Sequence, residues 1–163
     1  MFMSGNEIVL TGTEAIFPSS VSGIILSPDY RNVLVVEGAR RDGMYGFPGG
    51  KSEPDKDRHL RDALYREVKG ETGLSVRAAH FVYLKLPRGY HHSFWYVSEW
   101  EGEVSETDSY DEDGFDSGAP RWCPVKDVYG ARILFKDQHD EAFRVLVREA
   151  RRYGHPLAAA VEE

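Results

Sequence analysis

The chain has 163 residues, a hydrophobic content of 41% and a formal net charge of -7, which fits a globular protein with its own core rather than a disordered one. The acidic balance argues against nucleic acid as a partner, because nucleic-acid binders normally carry a basic face. The single cysteine excludes an intrachain disulfide, and no apolar run reaches membrane-spanning length. We therefore expect a cytoplasmic protein with one domain over residues 1–163, whose core spans about 20–153; a homodimer is compatible with these features.

The first third of the chain has the pattern of short strands and a glycine-rich loop. Residues 21–26 and 33–38 are apolar runs separated by a turn-forming segment that includes Pro28 and Asp29. This pattern predicts a β-hairpin. Residues 43–51 are dense in glycine and interrupted by Pro48, which indicates a loop with a short edge of strand.

The rest of the chain alternates between helical and strand patterns. A helix is predicted over residues 58–72, with Asp57 as its N-cap and Gly73 as its stop. Strands are predicted over 80–86, 92–100 and 121–125, and an amphipathic helix over 136–153. The tail beyond residue 153 is expected to fray. This succession predicts an α+β fold with a mixed sheet between helices.

Residues 89–120 contain nine acidic residues and no lysine or arginine. Two interpretations stay open: a solvated acidic loop, or a segment that contributes a carboxylate to a metal site. The segment does not fit an EF-hand, because Ser109 and Pro120 stand at the first and last ligand positions, where carboxylates are needed.

The helix predicted over residues 58–72 carries two glutamates on its apolar side. Its apolar stripe is formed by Leu60, Leu64 and Val68. At 100° per residue, Glu67 and Glu71 fall within this stripe. A carboxylate on a buried face needs an ion pair or a bound cation. The first alternative is an ion pair with an arginine such as Arg66 or Arg40, and the second is a site for a hard cation such as Mg²⁺.

Two successive glycines, Gly49 and Gly50, come shortly before this helix. Such glycines allow backbone groups to approach a ligand closely. A Gly-Gly loop followed by a helix with inward-facing glutamates favours the metal site over the ion pair.

The segment GGKSEPDKDRHLRDALYREVKGETGL resembles the Nudix box, GX5EX7REUXEEXGU, in which U is aliphatic. The matching positions are Gly50, Arg66, Glu67, Val68, Glu71, Gly73 and Leu74. Flanking segments are similar to the family as well, so the resemblance covers most of residues 20–150. It implies the Nudix α/β/α sandwich of MutT-like proteins. It also implies a pyrophosphohydrolase that cleaves a nucleoside diphosphate linked to another moiety, with Mg²⁺ or Mn²⁺ as its cofactor.

The resemblance implies roles for individual residues. Glu67 and Glu71 would be catalytic metal ligands, and the backbone carbonyl of Gly50 would be a third ligand. Arg66 would be the arginine that steadies the catalytic loop. Glu53 fits the acidic position that often follows Gly-Gly-Lys in the family.

Other candidates lie outside the matching positions. Contacts with the substrate are predicted for Arg40, Arg41, Lys51, Glu53, His91 and His92, and those of Arg40, Arg41 and Lys51 are with its phosphates. Glu67, either histidine of the pair His91 and His92, or an acid between residues 111 and 116 is a candidate general base. Aromatic candidates for stacking on a base, or else for the core, are Tyr45, Phe47, Tyr90 and Trp95.

The sequence departs from the box at two points. The segment from Gly50 to Arg66 is two residues longer than the motif, so the glutamate in the middle of the loop is missing, and Asp55 or Asp57 is the candidate to replace it. Gly70 stands where the family has the first glutamate of a pair. Three alternatives follow: a tolerated loss, an enzyme with altered metal stoichiometry and slower turnover, or an impaired module that binds or senses a nucleotide or nucleotide sugar.

Overall fold

The computed structural model describes residues 19–38, 43–85, 91–110, 116–133 and 135–163. Its strands are β1 Ser19–Ile25, β2 Asn32–Glu37, β3 Tyr45–Gly46, β4 Gly49–Lys51, β5 Ser75–Lys85, β6 His91–Glu101, β7 Ser109–Tyr110, β8 Asp116–Ser117 and β9 Arg121–Pro124. Its helices are α1 Leu60–Thr72, α2 Val125–Tyr129, α3 Asp137–Tyr153 and α4 Leu157–Ala160.

The strands form a four-stranded sheet of order β4-β1-β6-β5, a three-stranded sheet of order β3-β2-β9, and the ribbon β7-β8. The larger sheet is mixed, because β1 runs parallel to β6 while β4 and β5 pair antiparallel to their neighbours. Alternate residues of β1 and β6 point into two cores, as the period of two in a strand requires. One core contains Val21, Ile25, Trp95, Val97 and residues of α1, and the other contains Ile24, Phe94, Tyr96 and residues of α3.

The predicted α+β sandwich with a mixed sheet between helices is therefore confirmed. Helix α1 packs against β1, β4 and β5, and α3 packs against β5 and β6. None of the helices in the described ranges is long and apolar enough to cross a membrane.

The predicted hairpin of residues 21–26 and 33–38 is wrong beyond its turn. The turn itself forms, since Ser27 N donates to Asn32 O at 2.8 Å and Leu26 and Val33 make a single antiparallel bridge. The two strands then separate: β1 pairs with β4 and β6, and β2 pairs with β3 and β9. One edge of each strand is thus occupied by a distant segment, β6 for β1 and β9 for β2, which local patterning does not reveal.

Helix α1 ends as predicted and begins two residues later than predicted. Gly73 has φ +81° and its N–H donates to Lys69 O at 3.0 Å, which is the left-handed stop that glycine adopts without strain. The helix begins at Leu60 rather than at residue 58, and its N-cap is His59 rather than Asp57. Asp62 accepts hydrogen bonds from the N–H groups of Arg58 and His59 at 2.9 Å. Because Asp62 accepts both of these N–H groups, the carboxylate of Asp57 is not needed as the helix cap.

The tail does not fray, contrary to the expectation. Leu157 is fully buried, and Ala160 and Val161 are 7% exposed. These residues belong to the core that α3 covers. The short helix α4 buries apolar side chains that would otherwise face water, which stabilises the docked tail.

Candidate active site

Strand β4 brings its glycine backbone against the two glutamates of α1. A Cβ on Gly50 would stand 2.7 Å or less from every atom of the Glu67 carboxylate, so any other residue there would displace that carboxylate. The N–H of Gly49 donates to Glu71 Oε2 at 3.2 Å. A side chain on Gly49 would overlap the backbone of β1. The two glycines therefore allow the closest approach between strand and helix, where the carboxylates lie.

Arg66 connects the loop before α1 to Glu67. Its Nε and Nη2 donate to the two carboxylate oxygens of Asp57 at 3.1 and 2.8 Å, and Nη2 also donates to Lys51 O at 3.1 Å. Its Nη1 donates to Glu67 Oε1 at 2.9 Å. The bond with Asp57 is the largest cause of the raised pKa of Arg66. Two-point contact of this kind fixes the plane of the guanidinium and so the position of Glu67.

Asp57, and not Asp55, occupies the place of the missing loop acid. Its side chain is 4% exposed and pairs with Arg66. Its Oδ2 also accepts the N–H of Glu53 at 2.7 Å. Asp55 is exposed. The two extra residues of the loop therefore do not remove the contact between acid and arginine.

The two glutamates differ in how their charges are balanced. Burial raises the pKa of Glu67, and the adjacent Arg66 opposes that rise. Burial, together with the charge of Glu67, raises the pKa of Glu71 to about 7, against the opposing hydrogen bonds from Gly49 and Ser117. Among the described residues no cation lies within ion-pairing distance of Glu71. Glu71 is thus the carboxylate whose ionised form a bound cation would stabilise most.

Gly70 lies on an open part of α1. It is exposed, and a Cβ built on it would have no neighbour within 4 Å. No packing constraint therefore demands a glycine at this position. Within the described ranges no group of three or more histidine, cysteine or acidic side chains converges as a metal site does. The absent carboxylate at residue 70 agrees with that finding.

The donors present are of the kind that could hold a hard cation together with oxygens of a substrate. Mg²⁺ is commonly held by one or two carboxylates and completes its shell with water and phosphate oxygens. Glu67 and Glu71 are two such carboxylates, and the Gly50 backbone lies directly against the first of them. These donors do not form a cage made only of protein groups.

The other predicted contact residues fall into three groups. Arg40 and Arg41 lie outside the described residues, as does Tyr90. Lys51 is exposed at the end of β4, where its carbonyl accepts from Arg66. Glu53 is paired with Lys56 at 2.7 Å, and its charge contributes to the raised pKa of Glu67. Contacts of Lys51 and Glu53 with a substrate stay predictions.

The structure does not favour His92 as a general base. Its Nδ1 lies 3.2 Å from Gln138 Oε1 and its Nε2 lies 2.8 Å from Ser22 Oγ. An amide oxygen only accepts, so Nδ1 donates and Nε2 accepts the serine proton. Burial lowers the pKa of His92 to about 4. His91 begins β6 opposite Ser19, and its assignment as a base stays a prediction.

Two of the predicted stacking residues belong to the core instead. Trp95 is fully buried and Phe47 is 3% exposed. Tyr45 is partly buried, and the Arg121 guanidinium lies 4.2 Å from the centre of its ring. Aromatic residues pack in cores more often than they bind ligands, and here the packing role prevails for Trp95 and Phe47.

Ser117 is a site residue that the sequence patterns do not identify. Its hydroxyl donates to Glu71 Oε1 at 3.3 Å. It lies on β8, 46 positions from Glu71, so no local pattern connects the two. The acidic composition of residues 89–120 was the one signal that this part of the chain approaches the site.

These features define a class of protein. In this class a mixed sheet lies between helices, and a helix with inward-pointing carboxylates packs against a Gly-Gly strand. The sequence matches the model of the NUDIX domain family over residues 16–146. The match covers well over half of the chain, and the protein therefore belongs to the NUDIX domain family. The sequence has no significant match among curated proteins.

Solved structures share the fold at low sequence identity. The solution structure of the E. coli ORF135 protein is 22% identical, with a TM-score of 0.62 over 83% of this chain and 91% of that one. A MutT structure, from a study of the Aliivibrio salmonicida and Vibrio cholerae proteins, is 20% identical, with a TM-score of 0.63 over 83% and 98%. The NUDIX domain of Shewanella oneidensis NrtR, complexed with ADP ribose, is 16% identical, with a TM-score of 0.57 over 83% and 86%.

Proposed function

We propose that this protein is a divalent-metal-dependent pyrophosphohydrolase that cleaves a nucleoside diphosphate linked to another moiety. The observation that carries the proposal is the pair Glu67 and Glu71, held by Arg66 and Gly49 against the backbone of Gly50. Membership of the NUDIX domain family supports the class of reaction. A protein that only binds a ligand has no need to keep all of these groups in one place.

In this proposal Glu67, Glu71 and the carbonyl of Gly50 hold Mg²⁺ or Mn²⁺. When bound, such an ion neutralises phosphoryl oxygens and lowers the pKa of a coordinated water. Water attacks one phosphorus, the bridging P–O bond breaks, and the leaving phosphate departs with the bridging oxygen. The proton lost by the water goes to a base of the protein; Glu67 is one candidate, and in that role it would not also serve in full as a metal ligand.

Arg66 contributes to this chemistry by holding Glu67 in place. Asp57 orients its guanidinium and the guanidinium orients Glu67. We propose no direct contact between Arg66 and the reacting phosphorus. Its contribution is to keep Glu67 in one orientation, so that little reorganisation is needed during the reaction.

A second candidate function is a binding module for a nucleotide or nucleotide sugar. Gly70 favours it, because a carboxylate of the family pattern is absent there. The NUDIX domain of NrtR was solved with ADP ribose, so this fold accommodates such a ligand. Under this alternative, Glu67 and Glu71 orient a ligand that is not cleaved.

The decisive experiment combines turnover with binding. Nucleoside triphosphates, ADP-ribose, dinucleoside polyphosphates and nucleotide sugars are each incubated with the wild type and Mg²⁺ or Mn²⁺, and phosphate or nucleotide release is measured. We expect release from at least one class, and its loss in Glu67→Gln and Glu71→Gln. Calorimetry on the same panel reports binding. If the protein binds a compound of the panel but releases phosphate or nucleotide from none of them, the proposed enzyme is wrong and the binding module is supported.

Glu99→Gln is the matched control for these variants. Glu99 is an exposed glutamate on β6, and the substitution removes the same charge. We expect wild-type turnover from it. An equal loss of turnover in all three variants would attribute the effect to net charge rather than to the site.

A further inference from the structure

Tyr45 and Arg121 meet on one face of the three-stranded sheet. Their strands, β3 and β9, both pair with β2, where Tyr45 lies opposite Glu37 and Arg121 lies opposite Val35. Because Glu37 and Val35 are two residues apart on β2, all four side chains leave the same face of the sheet. This is the face that α3 covers, since Val35 belongs to the core on that side. The Arg121 guanidinium lies 4.2 Å from the centre of the Tyr45 ring, which is a cation–π contact.

This pair lies close to the carboxylate site. Gly118 N donates to Glu37 O at 2.8 Å, so Gly118 borders β2 at the residue whose other side faces Tyr45. About two strand spacings, roughly 10 Å, therefore separate the backbones of Gly118 and Tyr45. Ser117, the residue before Gly118, donates to Glu71 Oε1 at 3.3 Å. A short series of direct contacts thus connects the pair with the Glu71 carboxylate.

The outer side of Arg121 faces solvent. Arg121 is exposed, whereas Tyr45 is partly buried and packs against the core on the α3 side. Arg121 makes no ion pair with a carboxylate in the part of the chain that the structure describes. A guanidinium is planar and stacks on flat groups. With the Tyr45 ring on its inner side, Arg121 can accept a second flat group on its outer side.

We propose that Tyr45 and Arg121 form a stacking platform for the base of the nucleotide whose diphosphate lies at the carboxylate site. The proposal rests on the proposed function for the position of the diphosphate. In a nucleotide the ribose separates the base from the phosphates, which suits a platform two strand spacings from the segment that contacts Glu71. Every base has a flat π-face, so a platform of this kind binds different bases with little discrimination. It adds affinity for ligands that carry a nucleoside.

Two competing roles of the pair predict different results. If Arg121 only attracts phosphates by its charge, lysine replaces it, and ligands with and without a base depend on it equally. If the pair only holds β3 and β9 against β2, its loss lowers the melting temperature and leaves ligand affinity unchanged. Stacking alone makes the loss of affinity depend on the base and on the planar guanidinium.

The test compares α,β-methylene-ADP with methylenediphosphonate, two ligands that resist hydrolysis at the bridge and of which only the first carries a nucleoside. Each is titrated calorimetrically with Mg²⁺ present, and we expect the wild type to bind α,β-methylene-ADP more tightly. Arg121→Lys keeps the charge without the planar group, and Tyr45→Leu removes the ring. Each is expected to weaken α,β-methylene-ADP binding about 5- to 100-fold, the range for a lost base stack. The affinity for methylenediphosphonate is expected to stay the same, which also shows that the variant is folded at the site.

Two conservative variants are the controls. Tyr45→Phe keeps the ring and is expected to bind both ligands like the wild type. Arg148→Lys makes the same exchange as Arg121→Lys at an exposed arginine on α3 and is expected to change nothing. In Arg121→Lys, the KM for any cleaved nucleotide compound is expected to rise by the same factor as the binding constant, with a smaller change in kcat.

Failure of this proposal is distinguishable from failure of the proposed function. Turnover by the wild type with unchanged α,β-methylene-ADP affinity and KM in Arg121→Lys would overturn the platform and leave the hydrolase intact. Equal weakening of both ligands, or a wild type that binds α,β-methylene-ADP no more tightly than methylenediphosphonate, would also overturn the platform. Selective weakening of α,β-methylene-ADP in Arg121→Lys and Tyr45→Leu, without turnover of any substrate by the wild type, would support the platform and overturn the hydrolase.

Discussion

At the scale of single residues, the site depends on polar side chains whose partners come from other elements. Asp57 is 6% exposed and binds Arg66 through both oxygens. Removal of an acceptor from such a contact leaves a partly buried cation without its partner, which costs more than the contact itself contributes. The position of Glu67 depends on this contact through Arg66.

Asp57→Asn is expected to lower the free energy of unfolding by about 1–3 kcal/mol. Turnover is expected to fall as well, because Glu67 loses the group that orients it. Urea denaturation and a kinetic assay measure the two effects. Asp55→Asn, an exposed neighbour in the same loop, should match the wild type in both. Equal effects of the two substitutions would mean that the loop, and not the Asp57–Arg66 contact, sets the stability.

His139 makes stability depend on pH. It is 5% exposed, and its Nδ1 accepts the N–H of Phe47 at 2.8 Å, so the ring is neutral. Burial, together with the charges of His92 and Lys136, lowers its pKa well below the usual 6.5. A group whose pKa is depressed by folding contributes stability above its unfolded pKa and loses it as pH falls. We therefore expect stability to decrease on acidification below about pH 6.5.

Denaturation with urea at several pH values tests the role of His139. His139→Gln keeps a polar side chain without a proton that titrates near neutrality. The variant is expected to be less stable at pH 7 and to lose less stability than the wild type between pH 7 and pH 5. Parallel pH dependences for the two proteins would contradict the assignment.

At the scale of elements, the glycine inside α1 and the glycine that follows its last residue have opposite requirements. Gly73 ends the helix with φ +81°, and a Cβ on it would stand 3.0 Å from Glu103 O. Gly70 is in the helix interior and meets nothing. Glycine costs a helix interior about 1 kcal/mol relative to alanine, whereas alanine at a positive φ is strained.

Gly70→Ala is thus expected to stabilise the protein by about 1 kcal/mol, and Gly73→Ala to destabilise it by about the same or more. Thermal or urea denaturation measures both. Gly70→Glu, which restores the family pattern, is expected to raise Mn²⁺ affinity or turnover. If Gly70→Glu changes neither while Glu71→Gln abolishes turnover, the missing ligand comes from another part of the chain.

At the scale of the whole molecule, the last residues complete the core on the α3 side. Leu157 is fully buried although it follows the predicted end of the ordered chain. Leu157→Ala is expected to cost about 2–5 kcal/mol, the range for a buried leucine. Glu163→Gln is the contrasting control, because its ion pair with Arg31 is exposed on both sides at 3.5 Å and such pairs contribute little. Urea denaturation that gave similar losses for the two variants would mean that the tail is not docked as described.

Local patterns in the sequence identified the features that depend only on residues close together in the chain. The buried stripe of α1, its glycine stop at Gly73 and the inward position of Glu67 and Glu71 follow from helical period and conformational preference. The Gly-Gly segment was recognisable because glycine alone permits such close backbone approach. The order of residues in the box connected these features to a family.

Tertiary structure decided the features that depend on distant partners. Asp55 and Asp57 are equivalent by spacing, and only the position of the Arg66 guanidinium selects Asp57. The strands β1 and β2 share a turn but join different sheets, because β6 and β9 arrive from far along the chain. Ser117 reaches Glu71 in the same way, from 46 positions along the chain. Helix period and glycine preference act over a few residues and can be read from sequence, whereas hydrogen bonds and charges act through space, and the folded chain decides which of them meet.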